Sequence, residues 1–115
     1  MPDALEITSR VEPSGVRVFR VSGRLDSRGT PQFVRECTPP EQPGSWLVVN
    51  LAGITFLSSS GVGALLALSE QARENGAEVR IAEAAPVVAA TIDLLNLREY
   101  LHLFATESDA LKRAA

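Results

Sequence analysis

The sequence predicts an α/β fold, in which one domain spanning residues 1–115 contains a mixed sheet of four to five strands. About four helices are expected to pack mainly on one side of that sheet. The chain has 115 residues, 45% hydrophobic and 22% charged, which suits one domain that buries its own core. Two strand-like segments around a short turn open the chain. Strand-like and helix-like segments then alternate, as in parallel βαβ units.

The charge balance and the cysteine content argue against several classes of protein. The net charge is −3 and the isoelectric point is about 5.1, so the clustered basic residues of a nucleic-acid or anionic-membrane surface are missing. The single cysteine, Cys37, cannot form an internal disulfide. No apolar run approaches the roughly 18 residues of a membrane span, and acidic residues stand where a signal peptide has its basic region. We therefore expect a cytoplasmic protein without a membrane span.

The first half of the chain predicts a hairpin, a short helix and a central strand. Residues 5–11 and 16–25 are rich in alternating or β-branched residues and flank a Pro-Ser-Gly turn, which indicates an antiparallel hairpin. Thr30 is expected to N-cap a helix that has Pro31 at its first position and runs to about Cys37. Residues 46–50 form a continuous apolar run typical of a strand covered on both faces, and residues 52–60 are expected to be a connection.

The second half predicts alternating helices and strands. A helix is expected over residues 61–75 with Gly76 as its C-terminal cap, followed by a parallel strand over residues 78–82. Residues 86–95 form the next helix, which Asn96 can end, and residues 101–105 a short strand. Thr106 then opens a terminal helix over residues 107–113, with Asp109 placed for a capping contact.

The most informative stretch is LSSSGVGALL at residues 57–66, where three serines precede a glycine and an apolar helical pattern. A serine at this place lies beside a helix N-terminus, where free backbone N–H groups and the helix dipole favour a phosphate. The stretch therefore predicts a phosphorylation switch. The alternative is that Ser60 only caps the helix and that Ser58 and Ser59 satisfy loop backbone groups.

Catalytic, nucleotide-binding and metal-binding motifs are weak in this chain. Gly61 and Gly63 do not complete a dinucleotide motif because Leu66 replaces the third glycine, and no P-loop lysine follows. The neighbours two residues either side of Ser60 are Ser58 and Val62, so the GxSxG turn of a serine hydrolase is absent. Cys37 and His102 have no sequence partner at ligand spacing. We expect neither an enzyme nor a metal or cofactor site.

Four local motifs, in the predicted order of elements, resemble the STAS family, the fold of bacterial anti-sigma factor antagonists. The motifs are GRLD at residues 23–26, VVNLAGI at 48–54, SSSGVGALL at 58–66 and IDLLNLREYL at 92–101. The resemblance implies that Ser60 is phosphorylated by an anti-sigma factor that is a serine kinase, and that a phosphatase reverses the reaction. The implied partner-binding residues are Asp26, Ser58, Ser59, Ser60, Gly61 and Val62. The unphosphorylated surface would bind the anti-sigma factor and so release a sigma factor.

The chain departs from the family pattern at two positions. Ser58 and Asn50 stand where the family commonly has aspartate. An alternative function is therefore a STAS-like binding module that is never phosphorylated, such as an accessory subunit of a transporter or a signalling scaffold. The chain is expected to be a monomer or a weak dimer.

Overall fold

The computed structural model describes residues 4–113, and residues 1–3, on which part of the signal-peptide argument rests, lie outside the described residues with 114–115. It contains a five-stranded sheet in the order β1-β2-β3-β4-β5. The elements in chain order are β1 Glu6–Val11, β2 Arg17–Leu25, α1 Thr30–Glu36, β3 Trp46–Leu57, α2 Ser59–Glu74, β4 Glu78–Ala82, α3 Pro86–Leu94, β5 His102–Phe104 and α4 Glu107–Leu111.

The sheet is mixed, as the sequence predicts. β1 pairs antiparallel with β2, and the pairs β2–β3, β3–β4 and β4–β5 are parallel. The carboxyl ends of β2, β3 and β4 therefore lie at the same edge of the sheet, where the connections to α1, α2 and α3 begin. Ligand and partner sites of open α/β sheets commonly occupy this edge.

Two apolar layers hold the helices to the sheet. The larger one joins α1, α2 and α3 to one face of the sheet and includes Phe33, Leu65 and Ile92, each at most 1% exposed. The smaller one, on the other face, packs Ala110 of α4 against Val18 and other strand residues. The fold class is confirmed, with α4 as the helix on the second face. Among residues 4–113, no helix combines the length and apolarity needed to cross a bilayer.

β3 is longer than predicted, and α2 begins earlier. β3 continues through residues 52–57, which the sequence predicted as a connection, by pairing with β2 alone after Asn50. Irregularities in the β2–β3 register set the buried residues Leu51, Ile54 and Leu57 three apart, so the alternation that marks a strand is lost. α2 then begins at Ser59, not at Gly61.

Smaller corrections concern the other helix ends. Gly29, not Thr30, is the N-cap of α1, and the Thr30 hydroxyl instead donates to the Asp26 carbonyl oxygen at 2.8 Å. α4 ends at Leu111, because Lys112 is already extended, and β5 is limited to three residues. The Thr106 cap is confirmed, since its hydroxyl accepts from Asp109 N at 3.0 Å.

A buried carboxylate anchors α4 to the sheet. Glu107 is 8% exposed and accepts hydrogen bonds from Arg20 Nε at 2.8 Å, from Asn50 Nδ2 at 2.6 Å and from Arg10 Nη2 at 3.1 Å. These donors, Arg20 first, lower the pKa of Glu107 to about 2. Asn50, on the central strand, thus serves as a donor to a carboxylate, a role that an ionised aspartate could not fill.

Candidate functional site

Ser58 joins the end of β3 to the start of α2. It is the N-cap residue, with extended backbone angles of φ −94° and ψ 174°, and its hydroxyl accepts from Gly61 N at 3.3 Å. Its own backbone N–H donates to Leu25 O at 3.1 Å, which ties this junction to the last residue of β2. The capping role that the sequence considered for Ser60 therefore belongs to Ser58.

Ser59 and Ser60 form the exposed first turn of α2. The turn contains no acidic residue, and the chain has no charged side chain between Leu51 and Ser69. The free N–H groups and the dipole of a helix of 16 residues therefore face Ser60 without competition from a carboxylate on the same segment. Such a helix start, with free N–H groups and no nearby carboxylate on the same segment, is the kind of environment that favours an anion.

Gly61 allows α2 to approach the end of β2. A Cβ atom at this position would lie 2.4 Å from Leu25 O and 2.7 Å from Leu57 Cδ1, so the close contact requires glycine. Gly61 itself is buried, and Val62 is only 7% exposed within the core. Of the six predicted partner-binding residues, Gly61 and Val62 are buried and pack the start of α2 against the core, while Ser59 and Ser60 lie on the surface.

Asp26 lies in the β2–α1 loop (residues 26–29), beside the start of α2 because Leu25 contacts Ser58. Its Oδ1 accepts from Gly29 N at 3.2 Å and from Arg28 N at 3.0 Å, and Arg24 Nε lies 3.3 Å from Oδ2. These bonds, that of the Gly29 N–H first, hold the pKa of Asp26 below its usual range. The carboxylate therefore shapes the loop next to Ser60.

An exposed aromatic side chain that the sequence analysis did not select lies at the same edge. Phe56 of β3 is 37% exposed, and the guanidinium of Arg24 lies 4.0 Å from the centre of its ring. Arg24 and Phe56 are also register partners in the β2–β3 pair. A phenylalanine within a segment predicted as a connection was the available signal, but only the strand pairing shows its neighbour.

The other candidate reactive residues lie apart from the serines. Burial raises the pKa of the Cys37 thiol to about 12, so it stays protonated at neutral pH. His102 Nδ1 contacts Glu78, an orienting carboxylate that the sequence did not reveal. Glu78 is the first residue of β4 and His102 the first residue of β5, so both lie at the edge of the sheet opposite Ser60 and cannot complete a triad with it. Within residues 4–113, no three His, Cys, Asp or Glu side chains group as a metal site would require.

Comparison with known proteins identifies the family. A sequence model of the STAS domain matches residues 8–110, and the chain belongs to the STAS domain family. An anti-sigma F factor antagonist of Paenibacillus polymyxa is 27% identical over 100 residues, which cover 84% of this chain and 85% of that relative.

Solved structures show the same fold. The crystal structure of an anti-sigma factor antagonist from Mycobacterium paratuberculosis matches with a TM-score of 0.79 and 29% identity, covering 96% of this chain and 94% of that one. An anti-sigma factor antagonist domain protein of Planctomyces limnophilus matches with a TM-score of 0.74 at 16% identity over 91% and 94% of the two chains, a likeness of fold. The resemblance seen in the four sequence motifs is therefore confirmed at the level of family and fold.

Proposed function

We propose that this protein is an anti-sigma factor antagonist whose binding to its partner is switched off by phosphorylation of Ser60. The observation that carries the proposal is the exposed position of Ser60 in the first turn of α2, beside the Asp26 loop. Family membership and the names of the relatives support it. The partner is an anti-sigma factor with serine kinase activity, and a phosphatase restores the unphosphorylated form.

The switch follows from charge and space at the helix start. Unphosphorylated, the surface around Ser60 binds the anti-sigma factor, which then releases its sigma factor. Phosphorylation adds about −1.5 to −2 charges and a bulky group at the centre of this contact. A charge desolvated at an interface can weaken binding by several kcal/mol, which is a hundredfold or more in Kd. The protein acts in the cytoplasm as a binding protein and performs no chemistry itself.

Phosphorylation assays with single-serine variants test the proposal. Wild type is incubated with Mg-ATP and each serine-kinase anti-sigma factor of the source genome, and the intact mass is recorded. We expect one added phosphate, lost in Ser60→Ala and retained in Ser59→Ala, the adjacent exposed serine and matched control. An unmodified mass with every kinase, or loss of the phosphate in Ser59→Ala alone, contradicts the assignment of Ser60.

A second candidate function is a STAS binding module that is never phosphorylated, as in a transporter subunit or a scaffold. The observation that favours it is Ser58, which caps α2 at a position where the family commonly has aspartate. Under this alternative, Ser60→Asp leaves partner binding unchanged, and the kinase panel adds no phosphate.

A further inference from the structure

The carboxyl-terminal edge of the sheet presents an apolar ring held by a cation. Phe56 is one of the exposed large hydrophobic residues, and its ring is 4.0 Å from the Arg24 guanidinium. The Arg24 side chain contacts the ring with one side and Asp26 with its Nε, and it still remains 44% exposed. We call this unit the Arg24–Phe56 pair. An exposed aromatic ring stacked with arginine has the composition of an interface hot spot.

Arg24 and Arg28 place two exposed guanidinium groups near the Arg24–Phe56 pair, although the whole chain carries a net charge of −3. Acidic residues also lie there, because Glu6 of β1 is exposed opposite Ser22 and Asp26 is ion-paired with Arg24. The Asp26 carboxylate is only 21% exposed and already accepts from two backbone N–H groups, whereas Arg28 is exposed and forms no ion pair within the described part of the chain. Glu83, the nearby acid after β4, accepts from the backbone N–H of Glu107 on the α4 side. The start of α2 adds its positive dipole and no charged side chain.

We infer that the Arg24–Phe56 pair is a second contact for the partner that Ser60 controls, and that the partner surface it meets is acidic with an apolar recess for the ring. The inference rests on the proposed function and adds the chemistry of the partner. Charge complementarity supports it, because Arg28 is an exposed cation without an ion pair among residues 4–113, and it lies in the Asp26 loop beside the uncharged serine turn. Continuity supports it too, since Leu25, adjacent to Arg24, bonds directly to Ser58.

An acidic partner also explains the direction of the switch. Arg24 and Arg28 attract the partner to the edge where Ser60 lies, so a phosphate on Ser60 faces carboxylates instead of neutral surface. The phosphate also offers the two guanidinium groups a competing anion within the same molecule. Both effects weaken binding after phosphorylation, and both predict that wild-type binding weakens as salt rises.

Charge reversal at Arg24 and Arg28, and truncation of Phe56, test the inference. Kd is measured by calorimetry between each variant and the anti-sigma factor that binds wild type. We expect Arg24→Glu and Arg28→Glu each to raise Kd about tenfold or more, and Phe56→Ala about tenfold. The matched controls are Arg17→Glu and Val11→Ala, which change exposed register partners at the opposite end of the β1–β2 pair and should stay within about twofold of wild type.

Two of the variants, Arg28→Glu and Ser60→Asp, separate an effect on docking from effects on folding and on the switch itself. Arg28→Glu breaks no ion pair, so its thermal stability should match wild type even if Arg24→Glu disturbs the Asp26 loop. Ser60→Asp is measured in the same assay. If Ser60→Asp loses binding while Arg28→Glu and Phe56→Ala bind as wild type does, the inference is wrong and the proposed function stands. If wild type binds no anti-sigma factor of its genome, the proposed function fails, and the inference fails with it.

Discussion

At the scale of single residues, two small residues, Ser58 and Gly61, determine the position of Ser60. Ser58 ends the extended backbone of β3 and accepts the Gly61 N–H, so the helix begins at Ser59. Gly61 brings that helix onto the end of β2, where its missing Cβ leaves room for Leu25 O. From the sequence, a helix cap is only the alternative role of Ser60, and Ser58 is not identified as the cap, because spacing alone does not show which of three adjacent serines is extended.

Replacing the cap should destabilise the protein modestly. Ser58→Ala removes the acceptor for the Gly61 N–H, and we expect the free energy of unfolding to fall by about 1 kcal/mol. Ser58→Asp keeps an acceptor and adds a negative charge at the positive end of the helix, so it should retain or exceed wild-type stability. Urea unfolding of both variants measures the effect. Equal stability of Ser58→Ala and wild type would show that the cap contributes nothing.

The glycine contact makes a sharper prediction because α2 contains its own control. Gly61→Ala places a methyl group 2.4 Å from a backbone oxygen, so the free energy of unfolding should fall by about 2 kcal/mol or more. Gly63→Ala, two residues later, enters open space on the exposed side of the helix and should raise stability by about 0.5–1 kcal/mol. Thermal melts of the two variants should therefore shift in opposite directions, and a shared direction would contradict the packing described here.

At the scale of elements, the sequence predicted regular segments well and irregular ones poorly. The hairpin, the apolar core of β3 and the parallel β4 follow from periodicity and turn residues. The distal half of β3 could not be predicted from alternation, because the shifts in its pairing with β2 give a buried residue at every third position. The attachment of α4 through Glu107 could not be predicted either, because Glu107 and Arg20 are 87 positions apart and no local sequence pattern marks their contact.

The α4 anchor predicts acid sensitivity. The pKa of Glu107 is about 2 in the folded protein and near 4.5 when the group is free. Between these pH values the folded state therefore binds fewer protons than the unfolded state. The stabilising contribution of Glu107 is therefore complete above about pH 4.5 and is lost as the pH falls towards 2. A shift of this size corresponds to about 3 kcal/mol.

Comparison with Glu107→Gln isolates this contribution. Glu107→Gln removes the titrating carboxyl group that Arg10 and Arg20 contact, so the difference between the two pH profiles reports the contribution of Glu107. Denaturant unfolding at several pH values should show wild type losing about 3 kcal/mol more than the variant between pH 5 and pH 2. Parallel pH profiles would contradict the role of Glu107 as the anchor.

At the scale of the whole molecule, the features share one edge of the sheet. The parallel order of β2, β3 and β4 brings the Asp26 loop, the Arg24–Phe56 pair and the start of α2 together. The four sequence motifs predicted this fold and placed Asp26 and Ser60 in one site. They could not indicate the partner chemistry that we infer, because that inference rests on Phe56 and Arg24, which meet only through strand register.

The most direct test of the central claim compares the two forms of one protein against one partner. Wild type is phosphorylated at Ser60, and its Kd for the anti-sigma factor is measured by calorimetry beside that of the unmodified protein and of Ser60→Asp. We predict that phosphorylation raises Kd about a hundredfold or more and that Ser60→Asp raises it in the same direction, while the melting temperature changes little because the site is an exposed helix start. Equal Kd values for the two forms would contradict the account.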